Sequence, residues 1–153
     1  MDELLSHDAL EFDLHGGPIH DRSGMRVGGI TIARDRICFH ERHQASAVLA
    51  VLPWVNSTRL GLASGRPVID VNERVLGFLG EALNASTPDG ACLLRGGWRR
   101  NLKTPDGKEV AVFGKVGILS QRWRIALRAG AAPELRGLAL AAVFIDRAAR
   151  AGN

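Results

Sequence analysis

Arg122, Arg124 and Arg128 share one parity along the segment 121–128, and Trp123, Ile125 and Leu127 occupy the other. In an extended chain successive side chains point to opposite faces, so the arginines face outward together while the apolar residues face a core. Lys115, Arg99, Arg100, Lys103 and Lys108 lie in the adjoining segments. Guanidinium forks match the geometry of phosphate oxygens. Each cation near an anionic membrane contributes about 1 kcal/mol, so five or six would give reversible, salt-sensitive docking. The plain alternative is a solvated basic exterior. For Trp98 and Trp123 a place in the core is favoured over membrane insertion or base stacking.

A second group is Cys38-x-His40-x-x-His43. Cys38 and His40 fall on one face of a strand, and His20 could complete a nitrogen/sulfur set for a metal such as zinc. The spacing matches no standard zinc motif, so the expectation is no metal and no cofactor, with a packed cysteine and surface histidines. Catalytic signatures are missing too. No G-x-S-x-G, Walker A, G-x-G-x-x-G or H-E-x-x-H pattern occurs, and His40-Glu41-Arg42-His43 has the wrong spacing. The acid pairs Asp70/Glu73 and Asp13/Asp21 sit where turns attract acids anyway. A binding module is expected, not an enzyme.

The whole chain sets the background. Its 153 residues are 46% hydrophobic and 24% charged, the composition of one soluble domain, expected to span 1–153. Eighteen glycines and no tyrosine point to a β-rich chain with many turns. The net charge of +4 is uneven: residues 1–56 hold five arginines, eight acids and all five histidines, a net −3, and the rest is +7. The basic part suits an anionic partner. The acidic, histidine-bearing part could present a protein-interaction or pH-sensitive face. Cys38 and Cys92 read as buried thiols of a reducing compartment, with one disulfide left open. Met-Asp-Glu-Leu-Leu-Ser lacks the apolar run of a signal peptide, so a cytoplasmic location is expected, with room for peripheral membrane contact.

The elements that must position these residues follow from periodicity and turn residues. Residues 1–11 read as a short extension with a turn or two of helix. Strands are expected at 27–32 and 36–41 around Arg34-Asp35, at 58–63 and 67–71 around Ser64-Gly65, at 74–79, 92–103, 109–115 and 121–128. The segment 47–55 is apolar enough to be strand or helix. Thr-Pro-Asp-Gly at 87–90 and 104–107 predicts two type I turns, and Gly96-Gly97 predicts a bulge or corner inside 92–103. Residues 134–150 form a helix whose stretch Leu138 to Ile145 is apolar on every side. Such a helix must be buried in protein or lipid. Eight residues fall far short of the roughly 20 needed to span a bilayer, so no transmembrane span is expected. The fold class expected is α+β, a closed antiparallel β-barrel surrounding a buried hydrophobic C-terminal helix.

Several of these segments resemble the tubby C-terminal-like superfamily, which includes the phospholipid scramblases and the LURP-one-related proteins. Gly114-Lys115-Val116 with Ser120-Gln121-Arg122-Trp123 is similar to a scramblase-type strand and basic-Trp element. Residues 135–146, apolar and closing on Ile145-Asp146, are similar to the terminal helix, and residues 106–112 to the hairpins of the LURP-one-like barrels. The resemblance implies a barrel around a helix and a surface for phosphoinositide head groups. It does not extend to calcium: the segment 129–134 has a single acid, and calcium requires six or more oxygen ligands. The cysteine-rich and proline-rich leaders of scramblases are also missing. The expected function is therefore reversible docking on anionic phospholipid through Arg122, Arg124, Arg128, Lys115, Arg99 and Arg100. A protein-interaction module using the N-terminal third is the alternative, and nucleic-acid binding is the least favoured.

Overall fold

A computed structural model describes residues 2–42, 44, 46–56, 64–81, 83–88, 92–95 and 100–151, with the side chains of 2, 92, 94, 95 and 151 excepted. A four-residue helix α1 (Asp2–Leu5) leads into β1 (Ala9–Asp13), β2 (Gly17–Asp21), β3 (Arg26–Ile32), β4 (Ile37–Glu41), β5 (Ala47–Val51), β6 (Arg66–Asp70) and β7 (Val75–Leu79). There follow β8 (Ala85–Ser86), β9 (Cys92–Arg95), β10 (Asn101–Lys103), β11 (Glu109–Lys115), β12 (Arg122–Leu127) and the helix α2 (Pro133–Ala151). Every ladder is antiparallel between chain neighbours, and β1 pairs with both β2 and β12.

The turns form where the local chemistry asks for them. In the β10–β11 connection Gly107 adopts φ +90° and its N–H donates to the Thr104 carbonyl at 2.9 Å. A side chain would resist that backbone conformation. Asp70 caps the β6–β7 turn through the N–H groups of Asn72 at 2.8 Å and Arg74 at 2.9 Å.

The expectation of a closed barrel needs correcting. Pairings run round to β2 beside β1, but among the described residues the seams β1/β2, β7/β8, β8/β9 and β9/β10 show two residue pairs each. Elsewhere the ladders reach five pairs, as in β1/β12 and β11/β12. A two-residue ladder cannot seal a wall as a five-residue ladder does. The result is an uneven antiparallel sheet wrapped about a helix, not a continuous cylinder.

The single strand expected at 92–103 is also two: β9 and β10 turn back on each other, pairing Leu102 with Arg95 and Lys103 with Leu94. Gly96-Gly97 and Trp98 lie outside the described residues, as does the strand expected at 58–63. Residues 9–11, expected within an N-terminal extension, belong to the strand Ala9–Asp13, which pairs along its length with β12.

Helix α2 occupies the interior. Pro133 fits its first turn, where an N–H would lack a partner anyway. From Leu138 to Phe144 no residue is more than 4% exposed. Burial all round the circumference means that wall residues face the helix from every side. Phe12 of β1 and Phe39 of β4 set their rings edge-on to Phe144 at 5.6 and 5.8 Å. Where helix and wall come closest, side chains vanish: a Cβ on Gly77 would stand 2.7 Å from Leu138. Among the described residues no helix is long and apolar enough to cross a membrane.

Candidate functional site

The arginine strand is positioned as its alternation predicts. Along β12, Arg122 and Arg124 are exposed and Trp123 and Ile125 are buried, and Arg128 just beyond is exposed. The sheet then sets acids beside the arginines. Register places Asp13 opposite Arg122 and Glu11 opposite Arg124. Nη2 and Nε of Arg124 both donate to Glu11 Oε2, at 3.1 and 3.3 Å. Arg128 pairs with Glu109 at 3.5 Å. Arg100 lies over the Trp123 ring at 5.2 Å, and Arg147 of α2 lies over Trp123 and Phe113 at 5.2 and 5.3 Å. Lys115 is exposed at the end of β11, and Arg99 lies outside the described residues. On the lateral face Arg124 and Arg128 are therefore committed to ion pairs, whereas Arg122 and Lys115 have no ion-pair partner among the described residues.

A feature of the same hairpin is absent from the sequence reading. Between β11 and β12 the chain closes with the Val116 N–H on the Arg122 carbonyl at 2.9 Å, and Gly117 turns at φ +82°. Ile118 and Leu119 stand at the tip, 91% and 98% exposed. The signal was present as an apolar pair between Gly117 and Ser120, where turn residues are the rule. Lys115 and Arg122 flank it at the base of the loop.

Because each strand runs against its neighbours, alternate connections share an end of the molecule. The β1–β2, β3–β4, β5–β6, β7–β8, β9–β10 and β11–β12 connections lie at one end, together with the C-terminal end of α2, where Ile145 and Asp146 border Leu79 and Glu81. That end carries, besides the hairpin tip, the exposed Ile32, Trp54 and Val55, the exposed cations Arg34 and Arg100, and the half-buried Arg36, which pairs with Asp35 at 3.6 Å. Apolar and basic side chains thus meet on one rim.

Of the acids in the first third, Glu11 and Glu41 are buried and the Asp21 carboxylate is engaged by Ser23 and the Met25 N–H, while Glu3, Asp8 and Asp35 are exposed. The Asp13 carboxyl is held below its ordinary value, first by the backbone N–H of His15 at 2.9 Å, with burial opposing.

Comparison with protein families, with curated proteins and with solved structures finds no match.

Of the metal candidates, Cys38 and His40 do share the outer face of β4, and His43 lies outside the described residues. No cluster of three potential ligands occurs among the described residues. Cys38 is a free thiol, and burial pushes its pKa up. Beside His40 the structure brings Arg26 and Arg42 to a shared groove. Two permanent cations there favour anions over a metal ion.

Proposed function

We propose that this protein is a non-enzymatic module that docks reversibly, end-on, on anionic phospholipid membranes. The observation that carries this reading is the β11–β12 tip, where two aliphatic side chains stand almost wholly in solvent between Lys115 and Arg122. Full burial of an aliphatic side chain is worth about 1.5–3 kcal/mol. Each cation at an anionic surface adds about 1 kcal/mol. Neither contribution alone holds a protein on a bilayer, and together they give binding that salt reverses. The rim cations Arg34 and Arg100 support the same orientation, and the half-exposed Trp54 suits the headgroup level. The lateral arginines Arg124 and Arg128 become structural partners of Glu11 and Glu109 in this reading, and Lys115, Arg122 and Arg100 keep the lipid-facing role. The resemblance of residues 106–146 to scramblase-type and LURP-one-like chains points to the same ligand class.

Flotation with vesicles of phosphatidylcholine alone, or containing phosphatidylserine or a phosphoinositide, tests it. The expected result is capture by the anionic vesicles at low salt, release at high salt, and loss in the Ile118→Ser/Leu119→Ser variant. Failure of the wild-type protein to float with any anionic vesicle at low salt would overturn the reading. A nucleic-acid shift assay run beside it decides against the rival use of the same cations.

A further inference from the structure

The outer face of β2, β3 and β4 holds a groove on strands other than those of the β11–β12 hairpin. Its floor is Gly29, which stands between Pro18 on β2 and His40 on β4. With no side chain there, a cavity of about 470 Å³ opens, lined by Arg26, Thr31, His40, Arg42 and Gln44 among others.

The Arg26 side chain folds back along its own strand. Its Nε donates to the Gly28 carbonyl at 3.4 Å, and Nη2 lies 3.5 Å from the point a Cβ on Gly29 would occupy. Its guanidinium therefore lies in the groove. Neither Arg26 nor Arg42 has an ion-pair partner among the described residues, unlike Arg124, Arg128, Arg147 and Arg150. His40 Nδ1 is buried with no hydrogen-bond partner. Buried polar atoms are nearly always paired, so an orphan calls for an explanation. The bordering acid, Glu41, does not fill the role: it is buried, and its Oε1 accepts the Leu4 N–H at 3.4 Å.

We propose that this groove is a binding site for a small phosphate-type oxyanion, inorganic phosphate or a phosphomonoester. Two guanidiniums supply charge and forked donors, which match phosphate oxygens in geometry. The Thr31 hydroxyl, the Gln44 carboxamide and the His40 imidazole add neutral hydrogen-bonding capacity. A metal ion would meet the same two cations and be repelled. This inference is independent of the lipid reading, because Arg42 and Gln44 lie toward the end opposite the Ile118–Leu119 tip.

The test is a titration with inorganic phosphate and with glycerol phosphate at matched ionic strength, read by melting temperature and by the His40 ring resonances. A saturable rise in melting temperature with a His40 shift is expected. Gly29→Val fills the floor. Its Cβ meets nothing nearer than 3.5 Å, and its φ is an ordinary strand value, so the fold should persist while the response disappears. Arg26→Gln and Arg42→Gln, which leave the floor open, should each weaken binding about tenfold, the loss of one charge-assisted contact. No saturable response of the wild-type protein, or an undiminished response in a folded Gly29→Val or in both arginine variants, would overturn the site. Vesicles bearing a phosphoinositide separate the two sources of phosphate. Capture lost in Gly29→Val assigns the groove to a lipid headgroup, and capture kept there but lost in Ile118→Ser/Leu119→Ser assigns it to a soluble ligand.

Discussion

Removing the Glu11 carboxylate leaves the two Arg124 donors without their acceptor at a position where the acid is only 10% exposed. Hydrogen bonds to charged groups contribute about 1.5–3 kcal/mol. Arg124 is itself nearly half exposed, and water will recover part of that. Glu11→Ala is therefore expected to lower stability by about 1–2 kcal/mol, measurable as a shifted denaturant midpoint, while freeing one arginine on the lateral face. If that face were the lipid contact, the variant would bind anionic vesicles more tightly; end-on docking expects no change. Cys38 gives a second measurement at this scale. Its thiol pKa is raised by burial, so the thiolate fraction at neutral pH is below that of a free cysteine. In a Cys92→Ser background, alkylation should run slower than that of glutathione and accelerate on unfolding. Asp13 supplies a pH dependence. A carboxyl held below its unfolded pKa contributes stability that is present above the ordinary carboxylate range and lost as pH falls through the folded value. Asp13→Asn should flatten the acid limb of the melting curve below about pH 4, modestly, because the side chain is 46% exposed.

The elements differ in how tightly they meet, and the glycines measure it. A Cβ on Gly77 would collide with the Ser86 carbonyl oxygen and stand 2.7 Å from the end of the Leu138 side chain, so the β8 backbone would have to shift and Leu138 to repack. Gly77→Ala is expected to cost about 1–3 kcal/mol or more through overpacking. Gly114→Ala, with nothing within 4 Å, should change stability by less than about 0.5 kcal/mol. The same neutrality is expected of Ile118→Ser/Leu119→Ser, so any loss of vesicle binding there is a loss of contact and not of fold. Three hairpins were legible because their turns carry chemistry: Arg34-Asp35, Asn72-Glu73 and the second Thr-Pro-Asp-Gly each fall between paired strands. The division of 92–103 into β9 and β10 was not. Gly96-Gly97 reads as a bulge or corner inside one strand, and the same pair serves equally well as the turn between two. The tip of the β11–β12 hairpin is not legible for the opposite reason. Its two aliphatics sit where periodicity assigns them no face, and only the folded loop shows them standing free.

For the molecule as a whole, the apolar stretch Leu138 to Ile145 told most, because a helix without a polar stripe has to be surrounded. Phe144, against which Phe12 and Phe39 stack, is fully buried, and Phe144→Ala should cost about 3–5 kcal/mol in chemical denaturation. What the pattern could not convey was the evenness of the wall, since strand spacing says little about how many residues each ladder pairs. Neither could it convey that Glu11, placed by sequence in an acidic third, pairs across 113 positions with an arginine of the basic part. That long-range pairing joins the first strand to the last, and the helix that fills the sheet comes later still. Contacts of such sequence separation form slowly, because chain must be closed before it is rewarded. During synthesis, β1 to β12 therefore leave the ribosome before the helix whose side chains their inner faces are shaped to cover. The emergence of residues 133–151, not the completion of any strand, sets the moment at which this protein can begin to fold cooperatively.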